Sequence, residues 1–394
     1  MIDKTFHIAL LFNANKAYDR QIIEGVGKYL QTSRALWDVF IADDFCSHID
    51  GIGCWNVDGI IADCDVLAVE QKLDKLTIPV VGIGGSYSSK KAYPNLHYVA
   101  TDNYSLVEVA LEHLINKGME NFALYSFPSN PDKRWATERE KAFTMILQNR
   151  NRKGLIYQGH DIHIDNWQEA QNRLTEWVMS LPEGTGIVAV TDSRARHLLQ
   201  ICENADIPVP EKIAIIGIDN EELTQYLSGI SLSSVVHGAM KMGSCAAGIL
   251  HKLLKGESLP LQRIVVPPLK LVERRSTNYR SVTDPYVTRA MNYIRNNACR
   301  GIKAEQVIHF TGISRTSLEI RFKAHLGSTI HTFIHNEKIE HARHLLMTTS
   351  LSMKEIALTA GYPSVQYFYL VFRKTYNFTP KEYRKRYHEQ NRSA

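Results

Sequence analysis

From residue 6 to about 272 the chain alternates short apolar runs with longer segments whose apolar positions recur at helical spacing. HIALLF is followed by Asp19 to Ser33, DGIIAD by Val66 to Lys75, and PVVGI by Asn103 to Lys117. NFALYSF precedes Ala136 to Asn149 and Trp167 to Leu181, GIVAVTD precedes Arg194 to Ala205, and IAIIGIDN closes the series. A strand covered on both faces reads as a continuous apolar run, so this alternation predicts parallel sheets with helices on both sides. Roughly 270 residues exceed the usual size of one such sheet, which predicts two α/β lobes. Open parallel sheets bind ligands beyond the carboxyl ends of their strands, so the residues after each run are the ones to inspect.

The rhythm then changes. Glu273 to Pro285, ERRSTNYRSVTDP, is polar, lacks a hydrophobic period and ends in an N-cap aspartate followed by proline at the first helical position. It reads as an interdomain connection, which places a sensor-like α/β domain over 1–276, a linker over 277–284 and a second domain over 285–394. Past Pro285 no strand pattern follows, and amphipathic segments run from Pro285 to Ala298, Lys303 to Thr311 and His331 to Met347. The expected fold is a two-lobed α/β domain followed by an all-α domain.

The second domain contains an approximate repeat. Ser314 and Ser364, Phe322 and Phe372, and Thr329 and Thr379 each stand 50 residues apart. Each copy has the grammar of a helix-turn-helix: a short helix, a glycine (Gly312, Gly361) where the chain turns, a serine N-cap and a second helix. Ser352 and Glu355 form a capping-box pattern at the start of the second copy. Leu318 and Phe322, like Phe368 and Phe372, are spaced to face a core. The opposite face then presents Arg315, Thr316, Glu319 and Ile320 in one copy and Val365, Gln366, Tyr369 and Leu370 in the other. These positions could reach base edges, with Arg321, Lys323, Arg373 and Lys374 placed for phosphates. Gln366 is the best single base reader, because its amide can pair with an adenine edge through two hydrogen bonds.

Charge supports this division. Residues 285–394 hold 17 Lys+Arg against 7 Asp+Glu, a surplus of ten, whereas the remainder holds 29 against 34. A basic block on a mildly acidic body is the electrostatic footprint of a nucleic-acid-binding module, so double-stranded DNA is the expected partner. The six cysteines are scattered without metal-ligand spacing, and no cofactor or metal is expected. The first apolar run is too short for a signal peptide, and no stretch approaches the ~20 apolar residues of a membrane span, so the expected location is the cytoplasm with no membrane partner.

The stretch Ile356-Ala357-x3-Gly361-Tyr362-x-Ser364-x2-Tyr367-Phe368-x3-Phe372-Arg373-Lys374-x4-Thr379-Pro380-x2-Tyr383-Arg384 resembles the signature of the arabinose-regulator (AraC) family. The resemblance implies two helix-turn-helix subdomains joined by a connecting helix, here about His331 to Met347, entering successive major grooves. Pro363 stands where the family usually has another residue. In the α/β body, strand ends carry Asn13, Asp63, Asp102, Asp192 and Asp219, and RWATERE supplies Arg134, Trp135 and Arg139. Carboxylates accept hydrogen bonds from sugar hydroxyls, while an aromatic ring or guanidinium can stack on or donate to a sugar ring.

That body resembles the periplasmic-sugar-binding-protein-like core of the lactose-repressor family over residues 6 to 272. The resemblance matches Asp102, Arg139, Asp219 and His237 to positions where that family contacts or positions a sugar, the last standing where many relatives carry glutamine, and with Asn13, Trp135 and Asp192 from the strand-end reading they make up the expected sugar site. FNANKAYDR, RWATERE, GIDNEELT and ERRSTNYRS further resemble the pentose-operon activators of enteric bacteria, which join these modules in this order. This implies D-xylose or a related pentose as effector, a homodimer formed through the sensor, activation of xylose uptake and catabolism genes, and possible contact with RNA polymerase.

Two other readings compete. The α/β body could belong to an enzyme, but Gly82-Ile83-Gly84-Gly85 falls short of a dinucleotide fingerprint, and neither a Walker loop nor a His-Glu-x-x-His motif is present. A sugar-transport protein would suit the body, but not the basic helical domain.

Overall fold

The computed structural model describes residues 4–42, 55–160, 166–278 and 284–392. The chain forms two compact units, Met1–Tyr279 and Arg280–Ala394. The first contains two six-stranded sheets. One is built from β1 (Phe6–Leu11), β2 (Trp37–Ile41), β3 (Gly59–Asp63), β4 (Val80–Gly85), β5 (His97–Thr101) and β11 (Arg263–Val266). They lie in the order β2-β1-β3-β4-β5-β11, every neighbouring pair parallel. The other uses β6 (Asn121–Ser126), β7 (Gly154–Gln158), β8 (Thr185–Ala189), β9 (Ile213–Ile218), β10 (Ser233–Val236) and β12 (Lys270–Val272). Its order is β7-β6-β8-β9-β10-β12, with only β12 antiparallel.

The lobes are not contiguous in sequence. The chain leaves the first lobe at Asp102, because helix Asn103–Asn116 buries Leu106, Leu111 and Leu114 against Leu124, Val188 and Ile216 of the second. It returns at His237-Gly238, since helix Ala239–Leu254 packs Met242, Ala246 and Leu250 with Ile8, Leu10 and Val81. A third crossing separates β11 from β12. In the first lobe, helices Ala17–Ser33 and Ala239–Leu254 approach at small residues: a Cβ on Gly25 would stand 2.0 Å from the Met240 carbonyl oxygen.

The sheets contain six strands outside the apolar runs singled out in the sequence: β2, β5, β7, β10, β11 and β12. The connection also differs from expectation. Ser276 and Thr277 are completely buried against the second lobe, so the first unit continues through the start of the segment read as linker. Residues 279–283 of that segment lie outside the described residues.

The second unit is helical. Helices Pro285–Asn297, Ala304–Thr311 and Arg315–Leu326 enclose one core, with Leu318 and Phe322 fully buried. Helices Met353–Thr359, Val365–Tyr376 and Pro380–Arg392 enclose or flank a second, with Phe368 and Phe372 fully buried. Helix Ile330–Thr348 gives Ile330 and Ile334 to the first core and Ile339, Ala342 and Leu346 to the second. The second turn requires glycine: Gly361 has φ +74°, and a Cβ there would meet the Cys299 carbonyl oxygen at 2.5 Å.

Candidate functional site

The strand carboxyl ends of the second lobe gather most of the expected sugar residues. Asp219 and Asn220 follow β9 with φ of 124° and 52°, a pair of left-handed conformations uncommon outside glycine. Strained backbone of this kind persists where its surroundings hold it, and often marks functional sites. Here the surroundings are explicit. Asp219 N donates to the Val235 carbonyl at 3.0 Å, Asn220 N to Ser234 Oγ at 2.9 Å, and Glu221 N to Asp192 Oδ2 at 2.8 Å. Ser234 Oγ donates to Asp192 Oδ1 at 2.6 Å. Asp192 is wholly buried, and burial together with the neighbouring Asp219 charge pushes its carboxyl up to about 8.

His237 is also buried, 3.5 Å from Asp219 Oδ1 through Nε2 and edge-on to the Tyr18 ring of the first lobe at 4.9 Å. The 3.5 Å separation lacks hydrogen-bond geometry, and neither ring nitrogen has a hydrogen-bond partner among the described residues. Buried polar atoms in this condition are the groups that a hydroxyl-bearing ligand would satisfy. Asn103 Nδ2 is another. Arg139 is 5% exposed; its Nε donates to Asn103 Oδ1 at 3.0 Å and its Nη1 to the Val190 carbonyl. Burial lowers its pKa, while Asp219, Tyr18 and Asp65 oppose that effect. Its guanidinium lies over the Trp135 ring, 4.8 Å from the centroid.

The structure therefore brings Trp135, Arg139, Asp192, Asp219 and His237 into one neighbourhood. Asn13 and Asp102 have local duties instead. Asn13 Oδ1 accepts from Asn15 N at 3.0 Å, and both oxygens of Asp102 cap helix Asn103–Asn116 through Ser105 N at 3.0 Å and Ser105 Oγ at 2.8 Å. Sequence reasoning missed Tyr18 and Asp65, and gave Arg134 no role of its own. Arg134, on the second lobe's helix Arg134–Asn149, donates to Asp65 Oδ1 at 3.1 Å and Glu70 Oε2 at 3.4 Å on the first and stacks on Tyr87 at 3.7 Å. The Asp63-x-Asp65 spacing after a strand was the available signal.

In the helical unit the serine caps form as expected. Ser314 Oγ accepts from Ser317 N at 3.3 Å, Ser364 Oγ accepts from Tyr367 N at 3.1 Å, and Ser352 and Glu355 form the reciprocal capping box. On the first recognition helix Arg315, Thr316, Glu319, Ile320, Arg321 and Lys323 all face solvent. Arg315 is drawn toward Glu319 and Glu305, at 3.0 and 3.4 Å. On the second, Gln366, Leu370, Arg373 and Lys374 are exposed.

Three expectations need correction. Val365 and Tyr369 are half-buried against the second core rather than outward, because the apolar face of this helix is wider than two positions. Tyr367 is the exposed aromatic in that row. Arg321 is not a free phosphate ligand: its Nη1 bonds Asp284 Oδ2 at 2.5 Å, and the same aspartate accepts from Tyr286 N and Val287 N at the start of helix Pro285–Asn297.

Comparison with known proteins agrees with this architecture. Residues 7–104 match a family described as the XylR N-terminal domain, residues 111–277 a periplasmic binding protein-like domain, and residues 309–386 a helix-turn-helix domain. The xylose operon regulatory protein of Escherichia coli (strain K12) is 58% identical over 98% of each chain. That of Haemophilus influenzae is 49% identical over 98% of this chain and 99% of its own. A solved structure of the xylose-binding transcription activator XylR superposes with a TM-score of 0.88 at 56% identity, covering 98% of this chain and 99% of that one. At this identity over nearly the whole length of both chains, the chain belongs to the family of xylose operon regulatory proteins.

Proposed function

We propose that this chain is a cytoplasmic transcription activator, not an enzyme, that binds D-xylose and operates xylose uptake and catabolism genes as a homodimer on tandem DNA half-sites. The observation that carries the sugar reading is the grouping of Asp192, Asp219 and His237 at strand ends with Arg139 of helix Arg134–Asn149, with buried polar atoms on His237 and Asn103 lacking partners among the described residues. Trp135 supplies the apolar wall, with Asn13 and Asp102 as loop and cap residues at the first lobe's edge. The ligand is a neutral polyol rather than an anion, because the one buried guanidinium of the group, Arg139, already interacts with the half-buried Asp219 carboxylate, and the remaining buried polar groups offer hydrogen bonds rather than a positive charge. Full-length relatives are named for the xylose operon, which selects xylose among the polyols.

The DNA reading rests on the exposed faces of the two recognition helices. Gln366 reads a base edge with Leu370 beside it; Arg315, Thr316, Glu319 and Ile320 do the equivalent in the first copy; Lys323, Arg373 and Lys374 hold phosphates. Each protomer spans two successive major grooves, and the sugar-bound dimer sets two such pairs in register. RNA polymerase is the partner that activation would require. The deciding experiment is a panel of pentoses and hexoses scored by thermal shift on the full chain, repeated with promoter DNA of a xylose operon. D-xylose should give the largest stabilisation and alter DNA affinity, whereas a larger shift with another sugar would replace the effector assignment.

A further inference from the structure

The segment between the sensor sheet and the helical unit is wired into the pocket's supporting network. β10 contributes two successive serines, whose side chains must leave opposite faces of the strand. Ser234 faces the pocket side, where it bonds Asp192 and Asn220 at 2.6 and 2.9 Å. Ser233 faces the other way. Its Oγ accepts from Arg274 N at 2.7 Å and lies 2.7 Å from Thr277 Oγ1, and its backbone N donates to Ser276 Oγ at 2.9 Å. Ser276 Oγ donates onward to the Ile215 carbonyl of β9 at 2.6 Å, and His113 Nε2 lies 2.7 Å from Thr277 Oγ1.

One side chain joins the two faces. Arg274 donates through Nη1 to the Leu232 carbonyl at 2.7 Å and through Nη2 to Asn220 Oδ1 at 2.8 Å. Asn220 adjoins Asp219 in the strained turn, and Thr277 stands three residues before Arg280, where the helical unit begins. A passive tether needs no such network. Burying two hydroxyl side chains and one end of a guanidinium arrangement is tolerated only if every group keeps its partner, so movement of any member is passed to the others.

We propose that residues 273–278 are the transmission strap of this regulator, with Arg274 the positioning residue that couples the Asp219-Asn220 turn to the exit toward the DNA-binding unit. When a ligand hydroxyl engages Asp219, the turn resets Asn220 Oδ1, Arg274 follows it, and the register of Ser276 and Thr277 against β9 and β10 changes. Arg274 touches no ligand in this scheme. The inference rests on the sugar reading above.

The test uses the full chain and an operator duplex selected by the wild-type protein from a randomised pool. Operator affinity is measured with and without saturating D-xylose, and D-xylose affinity with and without operator. Linkage requires the two ratios to be equal, and allosteric couplings are typically about 5–150-fold. In Arg274→Met both ratios should fall toward one while D-xylose affinity of the free protein is retained. Asn220→Gly is the second variant: it keeps the positive-φ backbone, removes the same acceptor and should give the same loss. Wild-type coupling in either folded variant would overturn the proposal. So would coupling lost only in step with D-xylose affinity, which would make Arg274 part of the pocket. A wild-type protein that does not bind D-xylose would remove the sugar reading, whereas one that binds it with unchanged operator affinity would overturn the strap alone.

Discussion

Asp192 has a carboxyl that keeps its proton far above the ordinary 3.8, up to about 8, because burial and the Asp219 charge outweigh its hydrogen bonds from Ser234 and Glu221 N. The folded state therefore binds a proton that the unfolded chain would release, so this contribution to stability is complete below the ordinary value and lost as pH rises through about 8. Asp19 and Asp65, both held up to about 7 by burial and by the neighbouring Asp63, act with the same sign. Asp192→Asn should flatten the fall of melting temperature across this window, since an amide can accept from Glu221 N while donating to Ser234. An undiminished fall would show that Asp192 is already ionised in the native protein. Asp219→Asn should weaken D-xylose binding by about 1.5–3 kcal/mol through loss of charge-assisted hydrogen bonds; calorimetry giving wild-type affinity would exclude Asp219 from the site. The type and position of these residues were legible in sequence as polar groups after apolar strands. The local cap made by Asp102 was not distinguishable from a ligand role, because an aspartate before a helix suits both.

At the scale of elements, the two recognition helices share a grammar but not a surface. Gln366→Ala should relax preference at one base position by about 1–3 kcal/mol, read by binding to a set of single-base operator variants; an equal loss on every sequence would contradict base reading. Arg373→Ala should instead weaken binding evenly and reduce the salt slope by about one, and an unchanged slope would remove it from the phosphate contacts. Arg321 and Lys323 separate a similar pair of roles on the first helix. Arg321→Ala removes an ion pair from Asp284, which keeps its bonds from Tyr286 N and Val287 N, and should lower the stability of the helical unit by about 1 kcal/mol because Arg321 itself is exposed. Lys323→Ala should lower only salt-dependent DNA affinity. Denaturant midpoints of both variants check this contrast. The helix-turn-helix pair was readable because caps, glycine stops and i,i+4 apolar pairs are local signals. β7 was not: Leu155 and Ile156 sit on an exposed edge strand, where no apolar alternation survives.

For the whole molecule, function depends on segments far apart in sequence meeting through three lobe crossings and on two reading heads joined to one sensor. If a dimer binds tandem half-sites, inserting about half a helical turn of DNA between them should abolish cooperative protection in a footprint, and a full turn should restore part of it, because register follows the 10–10.5 bp repeat. Footprints indifferent to spacing would argue for independent protomers. The α/β body, the all-α basic domain, its repeated helix-turn-helix and the polar strand ends are all legible along the chain, since each is written in local periodicity, capping or charge. Folding in three dimensions adds which of those polar groups share a neighbourhood, the pairing of Arg321 with Asp284, the half-burial of Val365 and Tyr369, and the reach of Arg274 to Asn220 across 54 positions of chain. The physical reason is the same in each case: a side chain's environment is set by partners brought together through strand order and crossings, and local sequence carries no record of that long-range pairing.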